Sequence, residues 1–138
     1  ALHSVFGFKV DMVVLGDGML LPEFERWANV HSLAGLDPGG TEAVQLAQKL
    51  YAKGNRAAIA NTTVSGAYIE SLTSAGIRCI SLVHELRKII DDYGLHEQAS
   101  VIAQRAEWIV FAAPQVADSF LQVALLLQHL IQVHCIHE

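Results

Sequence analysis

The sequence predicts an α/β protein with a Rossmann-like, doubly wound parallel sheet in three α/β/α layers. Short apolar runs typical of buried strands recur roughly every 20 to 30 residues, and segments with helical spacing lie between them. The clearest example is the segment 58–85, AIANTTVSGAYIESLTSAGIRCISLVHE, which reads as strand, polar turn, helix, glycine stop and strand. Two such strands joined by a helix are typical of a right-handed βαβ unit in a parallel sheet.

The segments before this unit predict two strands and two helices. In order, they are a strand at 10–15, a short helix at 22–30, a short edge strand at 30–33 and a helix at 41–54. The first strand, VDMVVL, is a continuous apolar run that is broken by Gly16-Asp17-Gly18. The longer helix has an apolar stripe at helical spacing, with Thr41 as its cap and Gly54 as its stop.

The segments after the central unit continue the alternation. They predict helices at 86–93 and 96–106, a strand at 108–112 and a final helix that begins at Pro114. The final helix is apolar on nearly every side from residue 123 to residue 133, and one small domain cannot readily bury such a helix. We therefore expect it to form a homodimer contact or an interface with another domain.

The composition indicates one globular domain that does not bind nucleic acid. The chain has 138 residues, 52% of them apolar, and a net charge of −5 without a basic stripe. Its apolar runs are shorter than the ~18 residues that predict a membrane span. Cys79 and Cys135 are too few for a disulfide framework, and no signal peptide is recognisable. We expect a cytoplasmic protein, with peripheral attachment to the inner face of the membrane as an alternative.

Polar side chains follow the two strands of the central unit at the point where each strand ends. Thr62, Thr63 and Ser65 follow the first strand, and His84 and Glu85 follow the second. Because ligands of parallel sheets bind at the carboxyl ends of the strands, these residues form the candidate site. An imidazole can hydrogen-bond a ligand or transfer a proton, so His84 is the candidate catalytic residue.

Each of these residues also has a structural interpretation, which stays open at this point. His84 could only cap the helix that follows it, and Glu85 could stabilise the positive end of the same helix instead of binding a ligand. Thr62, Thr63 and Ser65 are residue types that fill strand-to-helix turns and cap helices.

Two patterns that look like ligand sites are better explained otherwise. Gly16-Asp17-Gly18 follows a strand, but a single GxG without a third glycine is a weak nucleotide-binding signal, and we interpret it as a turn. The tail carries His134, Cys135, His137 and Glu138, whose spacing does not fit one helical face or a paired zinc motif. The sequence therefore predicts no metal site and no cofactor.

Four passages resemble the N-terminal domain of the family 4-like glycosyltransferases, which have the GT-B architecture. In order, they are VDMVVLGDGMLLPEF, ANTTVSGAYIESLTSAGIRCISLVHEL, IIDDYGL and WIVFAAPQVADSF, and together they span residues 10–120. The resemblance implies an enzyme that transfers a sugar from a UDP- or GDP-sugar to a glycan or lipid-linked acceptor. The transfer would occur without a metal ion in a cleft between two domains, and this domain would shape the acceptor side of the cleft.

The resemblance also implies roles for the polar residues at the strand ends. His84 matches the histidine that lies beside the reacting sugar in this family. Glu85 follows it in the same HEL pattern, and Thr62, Thr63 and Ser65 match the polar turn that lines the cleft. The implied site is therefore one catalytic histidine with four substrate-binding residues.

The sequence departs from the family pattern towards both ends. The 138 residues contain no glycine-rich turn after a first strand before residue 10 and no second domain with donor-binding residues. We expect residues 1–138 to form one domain that lacks the first strand and the C-terminal donor domain, and that is inactive alone. The alternative is a complete, non-catalytic, flavodoxin-like module that binds a small ligand or a protein.

Overall fold

The computed structural model describes residues 5–124, in which strands and helices alternate as the sequence predicts. In chain order the elements are β1 Asp11–Val14, α1 Leu21–Phe24, β2 Asn29–Ser32, α2 Thr41–Ala52, β3 Ala57–Asn61, α3 Gly66–Ser74, β4 Arg78–Val83, α4 Arg87–Asp92, α5 His96–Arg105, β5 Trp108–Phe111 and α6 Pro114–Ala124. A 3₁₀ turn, Thr63–Ser65, leads from β3 into α3.

The strands are parallel, as predicted, but they form two small sheets instead of one continuous sheet. One sheet contains β1 and β2, and the other has the order β3-β4-β5. Among the described residues no strand pairs with the edge of β1 that faces away from β2, or with the edge of β3 that faces away from β4. The structure therefore shows an α/β fold with parallel strands, interrupted between β1 and β3.

One face of the three-stranded sheet carries the core. Cys79 and Val83 of β4 are fully buried, as are Ile69 of α3, Ile102 of α5 and Phe120 of α6. Successive side chains of a strand point to opposite faces, so every second residue of β4 lies under these helices. Burial raises the pKa of the Cys79 thiol to about 11.

The opposite face of this sheet is apolar and only partly covered. We call it the open face, and it consists of Ile59, Ile80, Leu82, Trp108 and Val110. Ile59 is 55% exposed and Trp108 is 45% exposed, whereas Ile80, Leu82 and Val110 are half-buried. In residues 5–124 the third layer expected from the sequence is thus not complete on this sheet.

A carboxylate links the two sheets at the starts of their strands. Asp11 accepts hydrogen bonds from Asn29 Nδ2 (2.9 Å), His31 Nε2 (2.9 Å), Lys53 Nζ (2.6 Å) and Asn55 Nδ2 (3.0 Å). We call this group the Asp11 clasp. Burial alone would raise the pKa of Asp11, but the hydrogen bonds from its four partners outweigh burial and hold that pKa well below its usual range. The clasp holds the starts of β1 and β3 at the same end of the molecule.

We expect Asp11→Asn to lower the free energy of unfolding at pH 7 by about 2 kcal/mol, because hydrogen bonds to a charged group are lost. Since the pKa is lower in the folded state, this contribution is present above the unfolded-state pKa of about 3.9 and fades as the pH falls below it. Urea unfolding of both proteins at pH 7 and pH 3 measures the effect. Asp118→Asn, at an exposed position of α6, is the matched control. An equal stability of Asp11→Asn and the parent chain at pH 7 would contradict the prediction.

Candidate functional site

The polar ends of β3 and β4 lie side by side at the carboxyl edge of the three-stranded sheet. Asn61, the last residue of β3, is in register with Leu82 of β4. The chain continues the pairing for one more step, because Thr62 N donates to Leu82 O (2.9 Å). The turn after β3 and the residues after β4, His84 and Glu85, are therefore neighbours. We call this group the strand-end site.

His84 is exposed and is held by the side chain of Asn61. The distance from His84 Nε2 to Asn61 Oδ1 is 2.9 Å. Because an amide oxygen can only accept, this orientation of Asn61 requires the proton of a neutral imidazole to be on Nε2. His84 Nδ1 then carries the lone pair and can accept a hydrogen bond or a proton from a ligand hydroxyl.

The carboxylate of Glu85 turns back onto the turn that precedes α3. Its Oε2 accepts hydrogen bonds from Thr63 N (3.1 Å), Thr63 Oγ1 (2.8 Å) and His84 N (3.2 Å). Partial burial alone would raise the pKa of Glu85, but these hydrogen bonds outweigh burial and lower it. The ionised carboxylate thus fixes the backbone on both sides of the strand-end site.

Thr62, Thr63 and Ser65 shape the turn between β3 and α3. Thr63 is fully buried, so its side chain reaches the site only through Glu85. Ser65 stands at the N-cap position of α3 without a capping side-chain bond, and its hydroxyl instead donates to the carbonyl oxygen of Asn61. Thr62 has a φ of 72°, a left-handed value that costs a non-glycine residue energy. Substrate binding by these three residues remains a prediction.

Asn61 is a site residue to which the sequence assigns no role, although it belongs to the polar group Asn61-Thr62-Thr63 at the end of its strand. Sequence analysis can mark it only as the polar end of a strand, because its partner is 23 positions away. The sequence nevertheless contains a signal, because the amide of Asn61 ends β3 and the imidazole of His84 follows β4, the neighbouring parallel strand. This juxtaposition becomes significant only when the register of β3 and β4 is known.

Apolar side chains flank the strand-end site. Val64, within the 3₁₀ turn, is 47% exposed, and Leu86, next to Glu85, is 49% exposed. Ile89, one turn further along, is 41% exposed. A polar group with apolar neighbours suits a ligand that presents both hydroxyl groups and apolar surface, as a sugar ring does.

The described part of the chain offers no evident metal site. Within residues 5–124 no group of three or more His, Cys, Asp or Glu side chains could hold a metal ion. Nor does any helix in the same range have the length and apolar character needed to span a bilayer. The histidine and cysteine cluster of the tail and most of the apolar segment 123–133 lie outside the described residues.

Comparison with known proteins adds no assignment, because no family model, no curated protein and no solved structure matches this chain. The fold and the site themselves define an α/β protein with parallel sheets and a polar site at the carboxyl ends of β3 and β4. Any finer class rests on the chemistry of that site.

We expect Glu85→Gln to lower the free energy of unfolding at pH 7 by about 1 kcal/mol, because three donors lose a charged acceptor. The pKa of Glu85 is lowered in the folded state, so its contribution is lost as the pH falls below the unfolded-state value of about 4.3. Urea unfolding at pH 7 and pH 3 measures this change. The control is Glu25→Gln, at an exposed position. A Glu85→Gln protein as stable as the control variant would disprove the role of the carboxylate.

Proposed function

We propose that this chain is the acceptor-side domain of a glycosyltransferase with the GT-B architecture. The enzyme would move a sugar from a UDP- or GDP-sugar to a hydroxyl of a glycan or lipid-linked acceptor. The observation that carries the proposal is the exposed His84, held by Asn61 beside an ionised carboxylate at the carboxyl edge of two parallel strands. This geometry supports the proposal in addition to the resemblance of the sequence to the family 4-like glycosyltransferases.

The proposed chemistry is displacement at the anomeric carbon of the donor sugar. His84 Nδ1 would accept a hydrogen bond or a proton from a sugar or acceptor hydroxyl in the transition state. Glu85, whose Oε2 accepts from His84 N (3.2 Å), would hold the backbone of His84 in place during that step. The departing diphosphate would be stabilised by residues outside this chain.

The flanking residues fit the same proposal. Val64 and Leu86 offer half-exposed apolar surface for the face of a sugar ring or for the apolar part of an acceptor. The buried Thr63 would position Glu85, and Thr62 and Ser65 would line the cleft by their place in the turn. Thr62, Ser65 and Glu85 would thus act beside one catalytic histidine, and no metal ion or other cofactor would be needed.

Three further features belong to the proposal. The two small sheets would be parts of one doubly wound, Rossmann-like sheet. The donor sugar would bind a C-terminal domain across the cleft, and the apolar segment 123–133 would lie in a domain or homodimer interface. The enzyme would work in the cytoplasm, alone or at the inner face of the membrane.

The test is sugar transfer by the protein made from the complete reading frame. It is incubated with a panel of UDP- and GDP-sugars, with and without a mixture of glycan and lipid acceptors, and the release of nucleoside diphosphate is measured. We expect at least one donor to release diphosphate, faster with acceptor. If no donor on the panel does so, the enzyme proposal fails and the flavodoxin-like binding module becomes the leading hypothesis.

A further inference from the structure

The edge of β1 that faces away from β2 carries unpaired backbone groups. Leu33 N donates to Val14 O (2.8 Å), so the backbone groups of Val14 point towards β2. Backbone groups alternate in direction along a strand, and those of Asp11 and Val13 therefore point to the other side. Among residues 5–124 no strand pairs with them.

The edge of β3 that faces away from β4 is unpaired in the same way. Thr62 N donates to Leu82 O (2.9 Å), and Arg78 N donates to Arg56 O (3.0 Å), so the even-numbered residues face β4. The backbone groups of Ala57 and Ile59 point away from it, where no described strand pairs with them. Exposed edges of this kind are templates for another strand.

The two edges are arranged to accept one strand between them. The Asp11 clasp holds the starts of β1 and β3 at the same end, so a strand that is parallel to one is parallel to the other. Neighbouring strands lie ~4.8 Å apart, and a single inserted strand would separate β1 and β3 by roughly 10 Å. The hydrogen bond from Asn55 Nδ2 to Asp11 Oδ2 (3.0 Å) is compatible with that separation, because it joins the ends of two side chains and not the two backbones.

Exposed apolar residues lie just before β1. Val5 is 69% exposed, Phe6 is 65% exposed and Phe8 is 58% exposed. Val5 and Phe6 have helical conformation, and Gly7 follows with a φ of +68°, the left-handed value typical of the residue after a helix end. The approach to β1 therefore resembles the end of a helix whose apolar side is uncovered.

Handedness fixes the face on which such a helix would lie. Parallel strands are connected by right-handed crossovers. The crossovers from β3 to β4 and from β4 to β5 run across the sheet in one direction, and their helices cover the buried face. A crossover from a strand inserted between β1 and β3 to β1 runs in the other direction. Its helix would therefore cover the open face, where Ile59 is 55% exposed.

We propose that a strand–helix segment of this protein's own polypeptide, N-terminal to Ala1, completes the fold. Its strand pairs in parallel with β1 and β3, and its helix packs on the open face and ends at Phe6. The resulting sheet has six strands in the order β2-β1-new-β3-β4-β5. This inference does not depend on the proposed enzyme activity.

Backbone hydrogen exchange tests the proposal. Amide exchange is measured by NMR for the protein from the complete reading frame and for the 138-residue chain. We expect the amides of Val13 and Ile59 to exchange at least about 100-fold more slowly in the complete protein than in the shorter chain. The amides of Ala58 and Ala60, which face β4 in both proteins, are the internal control.

Three results would overturn the proposal. The first is fast exchange of Val13 and Ile59 in the complete protein while Ala60 is protected, and this measurement holds even if the shorter chain does not fold. The second is a reading frame with too few residues before Ala1 for a strand and a crossover helix, which need roughly 25. The third is protection in the 138-residue chain that rises with protein concentration, because a second copy would then occupy the edges.

Discussion

Gly66→Ala is expected to lower the free energy of unfolding by about 3 kcal/mol, because the added methyl group overlaps backbone atoms of a neighbouring helix. A Cβ at this position would lie 2.4 Å from Gln98 O and 2.8 Å from Gln98 C, both backbone atoms of α5. The two helices can approach this closely only because residue 66 has no side chain. The higher helix propensity of alanine offsets at most about 1 kcal/mol of the cost.

Urea or thermal unfolding of Gly66→Ala measures this cost. Gly18→Ala is the matched control, because a Cβ there meets nothing within 4 Å. We expect the control to change stability by less than about 0.5 kcal/mol. If both variants were equally stable, the close approach of α3 and α5 would not be a feature of the folded protein.

The second large effect is expected at His84. In the complete enzyme His84→Ala should lower kcat by about tenfold or more, as the loss of a positioned acid–base group usually does. The fall should appear in kcat with little change in stability, because the side chain is exposed. Initial rates of nucleoside diphosphate release over a range of acceptor concentrations measure it.

Two companion variants make this prediction specific. His96→Ala removes another exposed histidine, one that pairs with Asp91 (2.9 Å) in α4, and should leave kcat unchanged. Asn61→Ala should lower kcat because Nε2 of His84 loses its acceptor, and Asn61→Asp, which retains an acceptor oxygen, should restore part of it. Unchanged turnover in His84→Ala would remove this histidine from the reaction.

The positions of the strands could be predicted from the sequence with small errors. The apolar run at 108–112 corresponds to β5, Trp108–Phe111, and the edge strand expected at 30–33 is found as β2, Asn29–Ser32. Both are short apolar runs bounded by polar residues, which is the pattern that strands share. The helix expected at 22–30 is shorter, because α1 ends at Phe24 and Asn29 already pairs with β1.

The interruption of the sheet and the contacts of the site could not be predicted in this way. Asp11 is bound by Lys53, 42 positions away, and Glu85 by Thr63, 22 positions away. The local sequence pattern shows only that Asp11 and Glu85 are polar. The hydrogen-bond partners of each depend on the register and packing of the whole fold. Glu85 illustrates the difference, because the sequence leaves a role at the following helix open, whereas the carboxylate accepts hydrogen bonds from the turn before α3.

The order in which parts of this chain can fold follows from the division into two sheets. The three-stranded sheet and its helices come from one continuous stretch, 57–124, which contains most of the buried core residues. The pair β1-β2 is synthesised first, but a two-stranded sheet is marginal by itself. Its support comes from Lys53 and Asn55 in the clasp and from the burial of Leu33 in the core. The N-terminal pair is therefore expected to leave the ribosome first and to become stable last.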